Sequence, residues 1–411
     1  MSNASPDIKT SSRWFSGLNI IKSCLYVVYS TVLLFPILST PLVADDFSAP
    51  FYQVFSEGFG VTAAVKSGWY NAYGGVNFRI LGMPFGSFIH FLYVDLAGRF
   101  QIPISTSYFI TKLVLYLGIG IVSSAVCGEL LRLAGKTLSR WSVLFVSSTV
   151  IFVSLQNHGM WSNDPVSGYP LAGFGSVILG LSVLAYSLKS VRLGITRSRI
   201  AGLTILTTVS VLYYELNVGI VLGVAPLLAL AALRSAPNVS ISLFTKIKKL
   251  TFVAIPCVVP ALALGWGRIV SGSTTQLYTG TTIRLGSRAV DTFLSGMIST
   301  LPGSAWALSK EFLGGSIGLL AGVFPIVGLI AVVTFMFLYS ESQQKKERQR
   351  SDRWLLIAGL ISLLLFWVIG VGVQSVTTKV QDESPRIGYV YTYYAIGATV
   401  VALLVSLVVL Y

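Results

Sequence analysis

Residues 354–373 read WLLIAGLISLLLFWVIGVGV, and none of these 20 side chains carries a charge. An α-helix of about 20 apolar residues is long enough to cross the roughly 30 Å hydrocarbon core of a bilayer. Lipid offers the backbone no hydrogen-bond partners, and the stretch lacks the strict alternation of a barrel strand. The stretch therefore predicts a transmembrane helix.

Apolar runs of this kind recur along the chain of 411 residues, of which 54% are hydrophobic and 11% charged. Soluble domains carry about 25% charged residues, so the composition excludes an ordinary soluble protein. We predict an all-α polytopic protein that forms one transmembrane domain over residues 1–411 and contacts the lipid bilayer throughout. The expected spans, about ten in number, cover residues 19–44, 102–126, 141–156, 171–188, 200–214, 217–233, 250–270, 312–339, 354–373 and 391–411.

The basic residues indicate how these spans are oriented, because loops rich in Lys and Arg face the cytoplasm. Of the 29 such residues, 19 lie in the segments 1–22, 127–140, 189–199, 234–249 and 341–353. Nine lie in the three expected outer segments, which are 45–101, 268–311 and 374–390. We therefore expect a plasma-membrane protein with both termini and the basic loop 341–353 in the cytoplasm. The same rule accounts for the net charge of +14 without a nucleic-acid partner.

Segment 79–97 is apolar enough to be an eleventh span, and the charge count decides against that interpretation. If the segment crossed, every later loop would change sides, leaving 10 Lys and Arg inside and 18 outside. That distribution would invert the positive-inside rule. We therefore expect 79–97 to be re-entrant or to lie along the outer surface, as part of a first outer loop, 45–101, that contains interfacial helices.

The paired acids Asp45 and Asp46 follow the first span directly. Two adjacent carboxylates raise the pKa of one member, which favours a role as a proton acceptor. The alternative is that the pair simply ends the span in water. We consider both acids candidate catalytic residues.

Further polar and aromatic residues of the outer loops are candidates for substrate binding. The first loop carries Trp69 and Arg79, and its aromatic residues can stack on sugars or anchor at the membrane interface. The second carries His158, Asn163 and Asp164. His158 can carry a proton or ligate a metal, although a single loop histidine more often does neither.

A Tyr-Tyr-Glu-Leu-Asn stretch forms the predicted hairpin between the fifth and sixth spans. Glu215 and Asn217 interrupt a long segment that is otherwise almost free of charge. A hairpin in water does not require an acid at its tip, so an acid between two spans indicates function. We predict a catalytic role for Glu215 and substrate contacts for Tyr214 and Asn217.

Three arginines on the expected outer side, Arg284, Arg288 and Arg386, suggest a site for an anion. A guanidinium group binds phosphate through two parallel hydrogen bonds. The alternative is ordinary ion pairing with neighbouring acids, Asp382 or Glu383 for Arg386. Tyr389, which follows Arg386 before the last span, is a further candidate for substrate binding.

Together these motifs resemble the GT-C membrane glycosyltransferases, and among them the bacterial O-antigen glucosyltransferases. The features that carry the resemblance are a first span ending in Asp-Asp, an outer loop with Gly-Trp and Arg-Ile-Leu-Gly, a Tyr-Tyr-Glu hairpin, and Pro-Arg before a late span. The resemblance covers most of the chain as architecture, and Asp-Asp is its most specific motif.

The resemblance implies a polyprenyl-phosphate sugar as donor and a cell-envelope glycan or glycolipid as acceptor, with inversion at the transferred sugar. Asp45 or Asp46 would be the base, Arg386 would bind the donor phosphate, and Glu215 would orient the acceptor or act as a second acid. Segment 79–97 would match the membrane-parallel helices of that fold. No cofactor is implied, a role for a divalent cation stays open, and the three cysteines lack the spacing of a metal site.

Two other classes remain as alternatives. A transporter or flippase of lipid-linked or anionic solutes would use the same arginines, but it should carry charges at mid-membrane and show two related halves. A lipid-linked polysaccharide polymerase or ligase would depend on a large outer loop with Arg and His, for which 268–311 is the candidate.

Overall fold

A computed structural model describes residues 17–41, 58–73, 79–156, 166, 170–234, 243–272, 282–301, 352–384 and 386–411. The first half of these residues forms seven helices, α1 (Gly17–Leu38), α2 (Val61–Tyr73), α3 (Gly82–Phe100), α4 (Ile104–Leu133), α5 (Arg140–Gln156), α6 (Pro170–Arg192) and α7 (Arg197–Tyr213). A short 3-10 turn, Glu215–Asn217, leads into the remaining helices, α8 (Val218–Arg234), α9 (Leu243–Gly272), α10 (Ser287–Ser299), α11 (Arg353–Ser375), α12 (Thr378–Glu383) and α13 (Tyr393–Leu410). An isolated antiparallel bridge joins Ile283 to Thr377, and the described residues contain no strand.

Seven of the described helices are long and apolar enough to cross a membrane. They are α1, α4, α6, α8 with its preceding turn, α9, α11 and α13, and α5 is a shorter apolar helix. The prediction of an all-α polytopic membrane protein is therefore confirmed. The count of about ten spans stays a prediction, because the expected span 312–339 lies outside the described residues, as does 341–351 of the basic loop.

The outward faces of these helices are apolar, as a bilayer requires. Val32, Val114, Leu262 and Val408 are each more than 60% exposed, although each lies on a candidate spanning helix. An exposed apolar side chain gains nothing from water but is compatible with lipid tails. The surface pattern therefore fits a membrane-embedded bundle.

Small residues let the bundle's helices approach closely. Gly223 of α8 packs against the backbone of Ser362 on α11, and the Ser362 hydroxyl donates a 2.7 Å hydrogen bond to the Gly223 carbonyl. Glycine and serine at helix contacts are typical of membrane bundles, where close backbone packing replaces the hydrophobic effect. Asp352 starts α11 by accepting a hydrogen bond from the Leu355 amide, which satisfies one free donor at the helix N-terminus.

Contacts between helix termini define two ends of the bundle. At one end, the start of α4 contacts the end of α1, and Tyr213 at the end of α7 donates a 2.8 Å hydrogen bond to the Leu171 carbonyl at the start of α6. The start of α13 contacts Tyr214 at the same end. We call this the Glu215 end, after the acid that lies there.

At the opposite end, Arg192 closes α6 by binding Glu129 of α4, and the Asp352 amide donates to the Leu133 carbonyl at 2.8 Å. Arg234 at the end of α8 pairs with Asp352. We call this the Glu129 end.

Helix α3, which contains most of segment 79–97, belongs to the Glu215 end at both its termini. Its start is fixed by a 3.1 Å hydrogen bond from the Leu81 amide to the Leu212 carbonyl of α7. Its last turn ends at Gln101, which adopts the left-handed conformation with φ 52° and leads directly into α4. The rings of Tyr93 in α3 and Tyr108 in the second turn of α4 also meet edge to face, with centroids 5.5 Å apart. Helix α3 is not among the seven candidate spans.

Candidate functional site

The site is built around a close approach between the start of α3 and the hairpin that joins α7 to α8. Gly82 lies directly on the Tyr213 carbonyl, and any Cβ at this position would collide with that oxygen. A glycine is therefore needed for the chain to come this near. The approach places Arg79, three residues earlier, against the hairpin tip.

Arg79 and Glu215 form an ion pair with two parallel hydrogen bonds. The guanidinium Nε and Nη2 each donate to one carboxylate oxygen at 3.0 Å. The two side chains are 17% and 16% exposed, so the pair is shielded yet reachable. Burial opposes the charge of Arg79, but the Glu215 carboxylate outweighs it and raises the pKa of the guanidinium. The Arg79 guanidinium is therefore held as a cation beside the carboxylate.

The aromatic ring of Tyr214 packs against the guanidinium group of this ion pair. The Arg79 guanidinium lies over the Tyr214 ring, 3.8 Å from its centroid, which is a cation–π contact. Burial raises the pKa of Tyr214, so its hydroxyl stays protonated. That hydroxyl shares a 2.8 Å hydrogen bond with Thr392 Oγ1.

Gln374 completes the network and links it to two more helices. Its amide nitrogen donates to Thr392 Oγ1 at 2.6 Å, and its amide oxygen accepts from the Tyr393 amide at 2.9 Å. Gln374 lies in the last turn of α11 and Thr392 just before α13. Neither residue was predicted from the sequence, although a glutamine at the end of an apolar run is a detectable signal.

Asn217 is buried and already fully engaged inside the bundle. Its carbonyl oxygen accepts from Ser176 Oγ at 2.9 Å, and its amide nitrogen donates to the Ser210 carbonyl at 3.0 Å. These bonds fix the 3-10 turn that carries Glu215. Substrate contact by Asn217 stays a prediction, and its visible role is to position the turn.

Trp69 lies on α2, a helix that packs along α3 close to the site. Its neighbour Gly68 lies against the backbone of Met83 and Pro84, where a larger residue would collide. Trp69 is 37% exposed. The part of α2 that carries Trp69 is thus anchored near the start of α3, which follows Arg79 by three residues.

Arg284 and Arg288 share one acid. Segment 282–284 pairs with 376–378 through a 2.8 Å hydrogen bond from the Arg284 amide to the Val376 carbonyl. Asp382 then lies 3.4 Å from Arg284 and 2.8 Å from Arg288. The alternative of ordinary ion pairing therefore describes both arginines. Two cations against one carboxylate still leave one positive charge at this position.

Arg386 and Tyr389 lie on an exposed turn before α13. The Tyr389 amide donates to the Arg386 carbonyl at 3.2 Å, and Gly388 between them adopts a positive φ of 93°. The Gly388 amide donates to Ser299 Oγ at 2.9 Å, which ties the turn to α10. The arginines 284, 288 and 386 thus all lie on segments that pack around the end of α11.

The remaining candidates, Asp45, Asp46, His158, Asn163 and Asp164, lie outside the described residues. The stretch just before the paired acids is fixed by Lys112, a fully buried lysine of α4. Its ammonium group donates to the carbonyls of Ile37 at 3.1 Å and Thr40 at 2.9 Å, at the end of α1. A lysine at these last carbonyls satisfies acceptors that the helix itself leaves open.

Within the described part of the chain, no group of three or more His, Cys, Asp or Glu side chains could hold a metal ion. No family model, no characterised protein sequence and no solved structure matches the chain.

Proposed function

We propose that this protein is an inverting glycosyltransferase that moves a sugar from a polyprenyl-phosphate donor to a cell-envelope glycan or glycolipid on the outer face of the membrane. The observation that carries the proposal is the Arg79–Glu215 pair. A shielded but reachable carboxylate is held there at the end of the bundle where α1 ends and three arginines gather. A carboxylate can bind the acceptor hydroxyl, and nearby arginines can stabilise the charge that develops on a departing phosphate.

In the proposed reaction the acceptor oxygen attacks the anomeric carbon of the donor sugar. The carbon–oxygen bond to phosphate breaks, polyprenyl phosphate leaves with the electron pair, and the acceptor proton passes to Asp45 or Asp46. Asp45 follows the end of α1 by seven residues. Arg386, with the surplus charge at Arg284 and Arg288, would stabilise the departing phosphate.

Of the two roles considered for Glu215, orientation of the acceptor and action as a second acid, the hydrogen bonds of its side chain favour the first. Both oxygens of the Glu215 carboxylate already accept hydrogen bonds from Arg79 and so serve as acceptors. Its remaining lone pairs can accept a hydrogen bond from a sugar hydroxyl. We therefore assign Glu215 to orientation of the acceptor, and Arg79 to the positioning of Glu215.

The proposed orientation places the Glu215 end outside and the Glu129 end in the cytoplasm. The described residues near the Glu129 end include Arg132, Lys136, Lys189, Arg192 and Arg234, as the positive-inside rule requires. Helices α2 and α3 would then lie along the outer surface, which agrees with both termini of α3 contacting one end of the bundle. Both chain termini would be cytoplasmic.

The placement of the buried charges weighs against an ion-coupled transporter, which should carry them at mid-membrane. Of the described residues of α4, Lys112 lies in the third turn and binds the end of α1, while Glu129 lies in the last turn. Each charge is bound near a helix terminus. The polymerase or ligase alternative depends on loop 268–311, of which 273–281 and 302–311 lie outside the described residues.

The test is transfer of radiolabelled sugar from synthetic polyprenyl-phosphate hexoses and pentoses by the purified protein, with crude envelope glycan as acceptor. We expect turnover by the wild type and none by the Asp45→Asn/Asp46→Asn double variant. We expect Arg386→Ala to raise the KM for donor more than that for acceptor. Asp95→Asn is the matched control, since Asp95 pairs with Arg99 on α3, away from the site. Full activity in the double variant would refute the base assignment, and no turnover with any donor would refute the transferase.

A further inference from the structure

A second site lies at the Glu129 end, far along the bundle from the network described above. A cleft of about 850 Å³ opens between α4 and α6 and is flanked by α5 and by Leu206 of α7. Its volume falls in the range of sites that hold small organic ligands, about 300–1,000 Å³. None of the residues proposed for sugar transfer lines this cleft.

Away from the charged residues the lining of the cleft is mainly apolar, with Ser124, Ser182 and Tyr186 as its polar members. Ile121, Val122 and Ala125 of α4 form one wall, and Val143 of α5 and Leu206 of α7 face into the same space. From Ile121 to Arg132 the wall follows α4 for about 16 Å, at 1.5 Å per residue. That depth is close to one leaflet of the roughly 30 Å hydrocarbon core. The cleft therefore has the length and the lining of a site for an acyl chain.

The mouth of the cleft carries a surplus of positive charge. Among the described residues, Arg132, Arg140, Lys189 and Arg192 line it, with Glu129 as the single acid. Four cations and one carboxylate leave a net charge of +3. Arg132 and Arg192 bind Glu129, at 2.5 Å and 2.7 Å, so the carboxylate holds these two cations in place. The side chains of Arg140 and Lys189 lie exposed at the rim.

An apolar groove one leaflet deep, closed by cations at its mouth, matches one class of ligand. An anionic phospholipid carries acyl chains that fill such a groove and a phosphate that lies at headgroup depth. Basic pockets between transmembrane helices bind such headgroups. The exposed positions of Arg140 and Lys189 allow both to reach a phosphate at the surface, as long basic side chains do at membrane interfaces.

We propose that this cleft binds one anionic glycerophospholipid of the surrounding membrane, with an acyl chain between α4 and α6 and its phosphate at Arg140 and Lys189. Glu129 acts as the spacer that keeps Arg132 and Arg192 at the rim. The proposal does not depend on the sugar-transfer chemistry, because it concerns the opposite end of the bundle and binding alone.

The test is titration of the purified full-length protein in neutral detergent with dioleoyl phosphatidylglycerol and, separately, dioleoyl phosphatidylcholine, followed by native mass spectrometry. We expect phosphatidylglycerol to bind about tenfold more tightly, because each rim cation contributes to binding of the phosphate. The Arg140→Gln/Lys189→Gln variant should lose this preference. Ala125→Phe, which fills the apolar part, should weaken binding of both lipids.

The matched control is Lys248→Gln/Arg353→Gln, which removes one Lys and one Arg near the same end but outside the cleft. This variant should keep the full preference for phosphatidylglycerol. Equal binding of both lipids by the wild type, or an equal loss in the two double variants, would overturn the site. Displacement of phosphatidylglycerol by inorganic phosphate at similar concentration would show a phosphate site without a lipid chain, and would also overturn the proposal.

Discussion

Two glutamates, Glu215 and Glu129, lie at opposite ends of the bundle, and each is bound by arginine through more than one hydrogen bond. Glu129 joins α4 to α6, two helices of the bundle itself, and its side chain is 8% exposed. Glu215 joins the hairpin between α7 and α8 to a segment outside the spans, and its side chain is 16% exposed.

This difference in partners and exposure indicates different roles for the two acids. Glu129 is held by cations of its own helix and the neighbouring one, so it fixes two helix ends. Glu215 rests in a polar network of Tyr214, Gln374 and Thr392, drawn from parts of the chain far apart in sequence. The first arrangement stabilises the bundle, and the second assembles a site.

The largest effect on stability is expected from Glu129→Gln. The neutral amide leaves Arg132 and Arg192 without their carboxylate, and breaking a buried ion pair from one side costs about 3 kcal/mol. Thermal unfolding of the purified protein in detergent should show a clearly lowered Tm. An unchanged Tm would mean that Glu129 does not hold the helix ends together.

A smaller effect on stability is expected from Gly82→Ala, which disrupts the close contact between the start of α3 and Tyr213 at the Glu215 end. The new methyl group collides with the Tyr213 carbonyl, and forced shifts of this kind cost about 2 kcal/mol. Sugar transfer should fall with stability, because Arg79 moves away from Glu215. Gly86→Ala is the control on the same helix, since a Cβ there meets nothing within 4 Å. If the two variants behave alike, the close approach has no role.

Tyr214→Phe removes one hydroxyl from the network and keeps the ring beneath Arg79. Loss of the hydrogen bond to Thr392 should cost about 1 kcal/mol, because the partner remains bonded to Gln374. Tyr70→Phe, on an exposed tyrosine of α2, should change neither Tm nor transfer. A loss in Tyr214→Phe as large as that in Gly82→Ala would assign the hydroxyl a greater role than the structure gives it.

The smallest effect is expected from Arg284→Gln. Arg284 is exposed and lies 3.4 Å from Asp382, which keeps its closer partner Arg288 at 2.8 Å. Exposed pairs of this kind contribute about 0.5 kcal/mol. Chemical denaturation should therefore barely distinguish the variant from wild type, and a shift as large as that of Tyr214→Phe would indicate a more rigid cluster.

Composition was sufficient to predict the fold class, because a bilayer restricts a spanning chain to helices. The orientation predicted from loop charge stays a prediction. Glu215 and Arg79 could each be selected as polar residues in apolar surroundings. Their pairing could not be predicted, since 136 residues separate them and the contact depends on Gly82 meeting one particular carbonyl.

The parts of the network contributed by Gln374 and Thr392 also could not be predicted. Their roles come from the packing of α11 against α13, which no local pattern specifies. Asn217 has a structural role that its sequence position did not indicate. Its amide bonds to Ser176 and to the Ser210 carbonyl and so positions the turn. Substrate contact by this residue stays a prediction.

The most direct test of the account compares Glu215→Gln with Glu129→Gln in the sugar-transfer assay, with rates normalised to the amount of folded protein. We predict that Glu215→Gln lowers the rate per folded molecule by about 100-fold, the loss typical of a misplaced reactant, and that Glu129→Gln leaves it within a factor of about two despite its lower Tm. Equal rates in the two variants, or a loss confined to Glu129→Gln, would contradict the assignment of the reactive end.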